Sequence, residues 1–380
     1  MDSLDVALIG CGGIADAHIE GYRELYAHGL RIMKIKAVCD IYKERAKRAR
    51  YKISEFQSSS PKVYTNVDDL LKCESLDAAD ICLPHNLHHT IAIKCLEKDL
   101  HIIIEKPLGI TMRAAKLIIE CAERRGKTLA VAENCRRTPE NRAIWWAIRH
   151  GMIGKPRMII WVEAGWNPKP MGWREDKFMA GGSWVFDGGV HLADLDRYQL
   201  GKEATEVYAM NHLFDPIKGV VRVTVDDMTM AIIRYEDDVY AHWLWTRAAP
   251  ARHIHMRVIY GSNGSINDRD LRIQLEKGEV KEIKINLLLK ELVKVIDPEL
   301  RDRWFPKGIM NTFSTELFDF YEAIINRRRP EVDGLEAYRD MAIPLSFYES
   351  ATLKEPVNVR DVESLKVEEY QKEINERLNI

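Results

Sequence analysis

A glycine-rich segment near the start of the chain has the residue types that bind a dinucleotide. Gly10-Cys11-Gly12-Gly13-Ile14-Ala15 fits the pattern G-x-G-x-x-G/A and lies between an apolar run and a segment with helical spacing. The first glycine allows a tight turn, the second lets the backbone approach a pyrophosphate, and the N–H groups of the following helix attract its charge. A tight turn in some other α/β domain is the alternative. The predicted cofactor contacts in this loop are Gly10, Gly12, Gly13 and Ile14.

An acidic residue ends the second apolar run of the chain. Asp40 stands where a carboxylate binds both ribose hydroxyls of NAD and repels the 2′-phosphate of NADP. Asp40 could instead cap the helix that follows it. Lys43 and Arg45 lie close by and would suit NADP, so we expect NAD and keep NADP as the alternative.

A lysine stands where a parallel strand would end. Glu105-Lys106-Pro107 closes the apolar run His101–Ile104, and ligands of open α/β sheets bind outside the carboxyl ends of the strands. A cationic amine held there can bond an alcohol oxygen and stabilise the alkoxide that develops on it. An ordinary surface lysine is the alternative.

A histidine and two aspartates recur with helical spacing farther along the chain. Within residues 181–194, the side chains of Asp187, His191 and Asp194 would share one face of a helix. Histidine is the usual general base near neutral pH, and a nearby aspartate can orient it and support its charged form. A metal pair and a capped core histidine are the alternatives, but no HExxH or CxxC pattern supplies a third ligand, so we predict no metal.

The order of the elements predicts two domains. Strand and helix signals alternate through the first third of the chain, which is typical of an α/β domain with a doubly wound parallel sheet. From Pro156 onward, longer strands are joined by hairpin-like turns, which predicts an α+β domain with an antiparallel or mixed sheet. The seven cysteines end at Cys135 and the nine tryptophans begin at Trp145, so the two cores differ. We place the NAD(P)-binding domain at residues 1–135 and the substrate domain at residues 136–380.

The composition excludes several classes of protein. Of the 380 residues, 46% are hydrophobic and 30% are charged, and 56 Lys and Arg against 58 Asp and Glu leave a net charge of −2. We therefore expect no nucleic-acid partner and no membrane association, because neither a basic excess nor an apolar run of membrane-spanning length is present. An odd number of cysteines without a CxxC pair, and an N-terminus without a basic segment, predict a cytoplasmic protein with buried thiols.

These motifs together resemble the Gfo/Idh/MocA family, named for glucose–fructose oxidoreductase and inositol dehydrogenase. Residues 10–15 resemble its nucleotide loop, Asp40 its ribose acid, and residues 105–107 its signature tripeptide. The other matching segments are Leu83–His88, Ala132-Glu133-Asn134, Trp173-Arg174, and Gly181-Gly182 through His191 and Asp194. Ser183 departs from a common Gly-Gly-Gly run, and His85 stands where many members have Asn.

The resemblance implies a Rossmann domain and a C-terminal domain with a large open, mostly antiparallel sheet through which a homo-oligomer, a dimer or tetramer, assembles. It implies that Lys106, Asp187 and His191 are the catalytic group, and that the Lys106–Pro107 bond is cis. The cofactor contacts expected beyond the glycine loop and Asp40 are Pro84, His85, His88, Glu105, Lys106, Asn134 and Arg174. The expected substrate contacts are Lys106, Trp166, Trp173, Asp187 and His191, with core packing as the alternative for the two tryptophans.

The sequence as a whole predicts an NAD(P)-dependent dehydrogenase. We expect hydride transfer from a secondary alcohol of a sugar, an inositol-like polyol or a glycoside, with the loops near residues 164–180 and 212–226 selecting the substrate. A glycosidase that uses NAD for transient oxidation and elimination is one alternative, and a non-catalytic nucleotide-binding sensor is another. The intact set of Lys106, Asp187 and His191 argues against the sensor.

Overall fold

The computed structural model describes residues 3–380, apart from the side chain of Lys277. The elements of the first 137 residues are β1 (Leu4–Ile9), α1 (Gly13–Ala27), β2 (Met33–Cys39), α2 (Lys43–Ser54), β3 (Lys62–Tyr64), α3 (Val67–Cys73), β4 (Ala78–Ile81), α4 (His88–Glu97), β5 (His101–Glu105), α5 (Met112–Arg125) and β6 (Leu129–Ala132).

The following stretch, up to residue 296, contains most of the longer strands. Its elements are α6 (Pro139–Arg149), β7 (Pro156–Ala164), α7 (Lys177–Ala180), α8 (Trp184–Asp187), α9 (Gly189–Leu200), β8 (Ala204–His212), β9 (Ile217–Lys218), β10 (Val221–Arg222), β11 (Met228–Tyr235), β12 (Val239–Thr246), β13 (Ile254–Gly261), β14 (Gly264–Ile266), β15 (Asp270–Gln274), β16 (Val280–Lys284) and α10 (Ile285–Val295).

The last stretch is mainly helical. Its elements are α11 (Pro298–Trp304), α12 (Thr312–Ile325), α13 (Gly334–Leu353), β17 (Val357–Asn358), α14 (Val359–Glu363) and α15 (Lys372–Leu378). Among all the described residues, no helix has both the length and the apolar content that a membrane crossing needs.

The chain divides into two compact units. The first contains residues 1–110, 114–137 and 297–337, and the second contains residues 111–113, 138–296 and 338–380. The sequence placed all residues after 135 in one domain, whereas α11 and α12 belong to the first unit. Ser314 at the start of α12 shows why, because its hydroxyl donates to the Gly21 carbonyl of α1 at 3.2 Å and to Glu24 Oε2 at 2.9 Å. The apolar periodicity of a helix does not specify which sheet the helix packs against, so the sequence pattern could not predict that α12 belongs to the first unit.

The first unit is built on the predicted doubly wound parallel sheet. Its six strands have the order β3-β2-β1-β4-β5-β6, and every neighbouring pair is parallel. The four residues of β4 and the four of β6 are all buried, as expected for parallel strands covered on both faces. Ile9 is paired with Cys39 on one side and with Ile81 on the other. The loops after these strands therefore leave the same edge of the sheet.

The second unit contains the predicted large, mostly antiparallel sheet. Nine strands have the order β16-β15-β14-β13-β7-β12-β11-β8-β17, and β7 with β12 is the parallel pair. One face is buried, where Trp243 contacts Phe347 of α13 with ring centroids 5.3 Å apart and Tyr235 donates to Asp196 of α9. Strand alternation then directs every second side chain of the same strands to the opposite face.

Candidate active site

The glycine loop leaves room for a pyrophosphate. Gly10 has φ of +89°, and a Cβ there would lie 2.1 Å from the Cys82 carbonyl oxygen, so the turn requires glycine. At Gly12 and Gly13 a Cβ would meet nothing within 4 Å. A side chain at either position would occupy open space next to the start of α1. Ile14, the next residue of α1, is 39% exposed. The loop therefore fits the phosphates of a dinucleotide.

Asp40 is held rigidly beside this loop. Its Oδ2 accepts the Cys11 N–H at 2.9 Å and its Oδ1 accepts the Tyr42 N–H at 2.8 Å. The guanidinium of Arg45 lies 4.5 Å from the centroid of the Tyr42 ring, which is a cation–π contact. These contacts place a fixed carboxylate at the end of β2 next to the phosphate loop, as a ribose acid requires.

The loop after β4 contains buried polar side chains. His85 is 2% exposed, and Asn86 Oδ1 is buried without a hydrogen-bond partner among the described residues. His88 has both ring nitrogens at 2.8 Å from carbonyl oxygens, those of Pro107 and Leu83. His88 therefore connects the start of this loop, next to Pro84, with the turn after β5. An unpartnered buried oxygen in such a loop is a position where a ligand hydroxyl or amide would be accommodated.

The Glu105-Lys106-Pro107 turn follows β5 directly. The Lys106–Pro107 peptide bond is cis, as the resemblance implied. Glu105 is buried, and its Oε2 accepts the N–H of Lys106 at 3.1 Å. Pairing of Glu105 with Ala132 places Asn134, two residues after β6, at the neighbouring strand end. In the first unit, the structure thus brings the predicted residues after β1, β2, β4, β5 and β6 to one sheet edge.

In the second unit, Asp187 and His191 lie on two short helices and not on the one continuous helix that the spacing predicted. Asp187 ends α8, Gly188 is the cap shared by both helices, and His191 lies in the first turn of α9. A Cβ at Gly188 would lie 2.2 Å from the Trp184 ring. Glycine at this position therefore leaves room for a side chain of the preceding helix. Asp187 is buried and His191 is half-buried.

Arg174 contacts one of the predicted catalytic residues. Its Nε donates to Asp187 Oδ2 at 2.6 Å, and its guanidinium lies 4.4 Å from the centroid of the Trp173 ring. Trp166 is 57% exposed, which does not fit the core-packing alternative. Arg174 was predicted to contact cofactor or substrate, and its position beside Asp187 adds a role in holding that carboxylate.

A cavity in the second unit opens beside Arg174 and Asp187. Lys218 and Glu175 line it as a buried ion pair, with Nζ and Oε1 3.2 Å apart. Trp184 and Trp245 also line it and are stacked with centroids 6.0 Å apart, and Trp245 Nε1 is buried without an acceptor among the described residues. An indole N–H and a buried ion pair therefore lie close to the predicted catalytic Asp187.

Buried carboxylates form another part of this cavity wall. Asp226 accepts hydrogen bonds from Thr229 at 2.6 Å, Tyr348 at 2.8 Å and Ser183 at 3.0 Å, and burial raises the pKa of its carboxyl. Sequence reasoning did not single out Glu175, Lys218, Trp184, Asp226 or Trp245. Their signal was weak because they are separated in sequence, although the substrate loops predicted near 164–180 and 212–226 contain three of them.

Comparisons with known proteins agree with this architecture. Residues 4–133 match a family model described as an oxidoreductase family with an NAD-binding Rossmann fold, and residues 142–267 match the GFO/IDH/MocA C-terminal domain. The two models together match about two thirds of the chain. An NAD-binding Rossmann domain was the prediction from the glycine loop, and it is confirmed.

Named relatives and solved structures extend the match over nearly the whole chain. Myo-inositol 2-dehydrogenase of Thermotoga maritima is 22% identical over 361 residues, which is 93% of this chain and 98% of that protein. Levoglucosan dehydrogenase of Pseudarthrobacter phenanthrenivorans is 29% identical over 294 residues, covering 70% and 73%. A solved structure of levoglucosan dehydrogenase in complex with NADH has a TM-score of 0.79 at 24% identity, covering 94% of this chain and 99% of that one, which shows a shared fold.

Proposed function

The chain belongs to the Gfo/Idh/MocA oxidoreductase family, and from this premise we propose that it oxidises a secondary alcohol of a sugar, an inositol-like polyol or a glycoside with NAD. The observation that carries the proposal is the strand-end edge of the first unit, where the open glycine loop, the fixed carboxylate of Asp40 and the Glu105–Lys106 turn lie together as expected for an NAD site. Similar proteins named for inositol and levoglucosan point to the same class of substrate.

The residues of the first unit fit NAD. Gly10, Gly12, Gly13 and Ile14 would hold its pyrophosphate, Asp40 its ribose hydroxyls, and the strand-end residues Pro84, His85, His88, Glu105, Lys106 and Asn134 would surround the remainder. When bound, NAD supplies the hydride acceptor. The fixed carboxylate of Asp40 favours a free 2′-hydroxyl over a 2′-phosphate, since two negative groups at hydrogen-bond distance repel each other.

Three side chains carry the proton and charge chemistry. His191 takes the hydroxyl proton of the substrate on a ring nitrogen as the C–H bond is broken. Lys106 donates from Nζ to the same oxygen and stabilises the negative charge that develops there. Asp187, oriented by Arg174 at 2.6 Å, supports the positive charge that His191 gains. In the direction of ketone reduction, the same groups return the proton.

The exposed face of the nine-stranded sheet is the proposed oligomer surface. Its apolar side chains are Tyr208, Met210, Met230, Ile232 and Tyr240, each at least 41% exposed, and we call this set the open sheet face. Met230 pairs with Met210 and Ile232 pairs with Tyr208, so four of the five are contiguous on β8 and β11, and Tyr240 lies on the neighbouring β12. A contiguous apolar patch of this kind marks a protein–protein interface more often than free surface.

The experiment is a substrate panel followed by the near-ultraviolet absorbance of NADH. Purified protein is mixed with NAD or NADP and with inositols, aldoses, glycosides and anhydrosugars. We expect NADH with one subset of the panel. If no compound yields NADH and chromogenic glycosides are cleaved, the redox-neutral glycosidase replaces the dehydrogenase; if NAD binds but neither reaction occurs with any compound, the sensor is favoured.

A further inference from the structure

A histidine is buried among carboxylates behind the Glu105–Lys106 turn. His18 lies on α1, and its side chain is fully buried. Its Nδ1 is 3.0 Å from Asp80 Oδ2 of β4, and its Nε2 is 3.1 Å from Glu105 Oε1 at the end of β5. Burial of three ionisable groups costs free energy unless each is paired, so a buried cluster of this kind indicates a functional role.

The hydrogen bonds continue beyond the histidine on both sides. The Tyr22 hydroxyl, one turn along α1, donates to Asp80 Oδ2 at 3.1 Å. On the other side, Glu105 uses its second oxygen to accept the main-chain N–H of Lys106 at 3.1 Å. A continuous path of hydrogen bonds therefore leads from the core of the first unit to the backbone of Lys106.

The charges around His18 favour a proton on both ring nitrogens. Burial is the largest single effect and lowers the pKa of His18, but the charge of Asp80, the hydrogen bond to it and the neighbouring Cys82 together raise the pKa well above its usual value. Glu316 of α12 has an oxygen 4.0 Å from His18 Nε2, and neither of its oxygens has a hydrogen-bond partner among the described residues. Burial raises the pKa of Glu316 to about 8, so at neutral pH it is mostly uncharged and leaves the imidazolium to Asp80 and Glu105.

Metal binding does not explain the cluster. His18, Asp80 and Cys82 have ligand atoms within 4.8 Å of one another. However, both ring nitrogens of His18 already contact carboxylates, and the Cys82 thiol lies 3.6 Å from Asp80 Oδ1.

We propose that His18 is a positioning residue for Lys106, because its Nε2–H holds the Glu105 carboxylate and Glu105 in turn fixes the main chain from which the lysine side chain extends. The inference rests on the proposed function, since it assigns no separate reaction. Positioning by a buried side chain that touches neither substrate nor cofactor matters because small displacements of a catalytic group lower the rate strongly.

Two isosteric replacements separate the two hydrogen bonds of His18. The amide of His18→Asn occupies the place of Nδ1 and keeps the bond to Asp80, whereas that of His18→Gln reaches the place of Nε2 and keeps the bond to Glu105. We expect His18→Gln to retain kcat within about threefold and His18→Asn to lose about tenfold or more, the effect of one charge-assisted hydrogen bond. NAD affinity and thermal stability of both are measured alongside, and equal kcat values for the two variants would overturn the proposal.

The variant Lys106→Ala shows whether a negative result concerns the positioning role of His18 or the proposed function itself. If Lys106→Ala is inactive while His18→Asn turns over like the wild type, the positioning role is wrong and the function stands. If Lys106→Ala itself retains normal turnover, the catalytic assignment of the lysine is wrong, and the positioning role is withdrawn with it.

Asp80→Asn tests the same path without replacing His18. The change removes the main charge that keeps His18 protonated, and a neutral ring donates to Glu105 through a weaker hydrogen bond than an imidazolium does. The groups facing His18 are Tyr22, Asp80, Cys82, Glu105 and Glu316. We expect the ratio of kcat between variant and wild type to fall about tenfold from roughly pH 6 to pH 8.5. A ratio that does not change with pH contradicts the proposal.

Discussion

We propose that single side chains determine cofactor choice and proton chemistry in this chain. Asp40 accepts one N–H with each carboxylate oxygen, from Cys11 and from Tyr42, so its position is fixed before any ligand binds. A preorganised carboxylate discriminates between a hydroxyl and a phosphate more sharply than a mobile one, because no ordering cost reduces the difference.

We predict that Asp40→Ala loses its preference for NAD. Removal of the carboxylate costs the hydrogen bonds to the ribose and ends the repulsion of a 2′-phosphate, so the ratio of kcat/KM for NAD to that for NADP should fall about tenfold or more. The measurement is steady-state kinetics with both cofactors, with Glu20→Ala, at an exposed position of α1, as the control. An unchanged ratio would remove Asp40 from the ribose site.

Sequence alone suggests candidate reactive residues but not their partners. Lys106, Asp187 and His191 could be proposed as the catalytic group because motif context and helical spacing are local. The Arg174–Asp187 contact and the indole N–H of Trp245 within the cavity were not found, because they depend on packing between elements far apart in the chain. His18 was passed over for the same reason, since a histidine inside an amphipathic helix gives no sign of the carboxylates it meets.

At the scale of elements, the glycines of the β1–α1 turn have two different roles, one in folding and one in cofactor binding. Gly10 needs its positive φ and its close approach to Cys82, whereas Gly12 and Gly13 face open space. The same G-x-G-x-x-A pattern therefore contains a structural glycine and two that leave room for a ligand.

We predict opposite behaviour for two glycine variants of this turn. Gly10→Ala should lower the melting temperature even without NAD, because the left-handed conformation alone costs about 1–2 kcal/mol and the Cβ overlaps a carbonyl. Gly12→Ala should melt like the wild type but lose NAD affinity. Thermal unfolding and NAD titration of both variants test this, and equal losses of stability would refute the division.

A second prediction at this scale concerns the pH dependence of stability and depends on Glu316 of helix α12. Glu316 is buried, with its pKa raised from 4.5 to about 8. Between these two values the unfolded chain releases a proton that the folded chain retains, so rising pH favours unfolding by up to about 1.4 kcal/mol per pH unit. Glu316→Gln does not titrate. The difference in melting temperature between Glu316→Gln and the wild type should therefore increase from about pH 5 to pH 8. A difference that does not change over this pH range would contradict the burial of an unpaired carboxyl.

The sequence predicted most elements because their signals are local, and it failed where tertiary contacts decide. Strand and helix alternation gave the parallel sheet, and hairpin turns gave the mostly antiparallel one. The break between α8 and α9 at Gly188 was not predicted, since the helical spacing of Asp187, His191 and Asp194 runs across it. The placement of α12 with the first unit was missed as well, because α12 and α1 are far apart in sequence.

At the scale of the whole molecule, we predict that the open sheet face holds an oligomer together. The double variant Met210→Lys, Ile232→Lys puts two charges into the apolar patch, where burial without partners is unfavourable. Light scattering coupled to gel filtration should give a dimer or tetramer for the wild type and a smaller species for the variant. Leu335→Lys, an exposed leucine of the first unit, is the control. A monomeric wild type would contradict this interface.

The measurement that tests the function most directly compares turnover with cofactor binding in Lys106→Ala and His191→Ala. Both residues are proposed to act on the substrate alcohol, so both variants should lower kcat by about 10²–10⁴-fold. NAD affinity should stay within about threefold of the wild type, and Lys98→Ala and His150→Ala, at exposed positions, should behave normally. Near-normal turnover in either catalytic variant, with NAD bound, would contradict hydride transfer assisted by that residue.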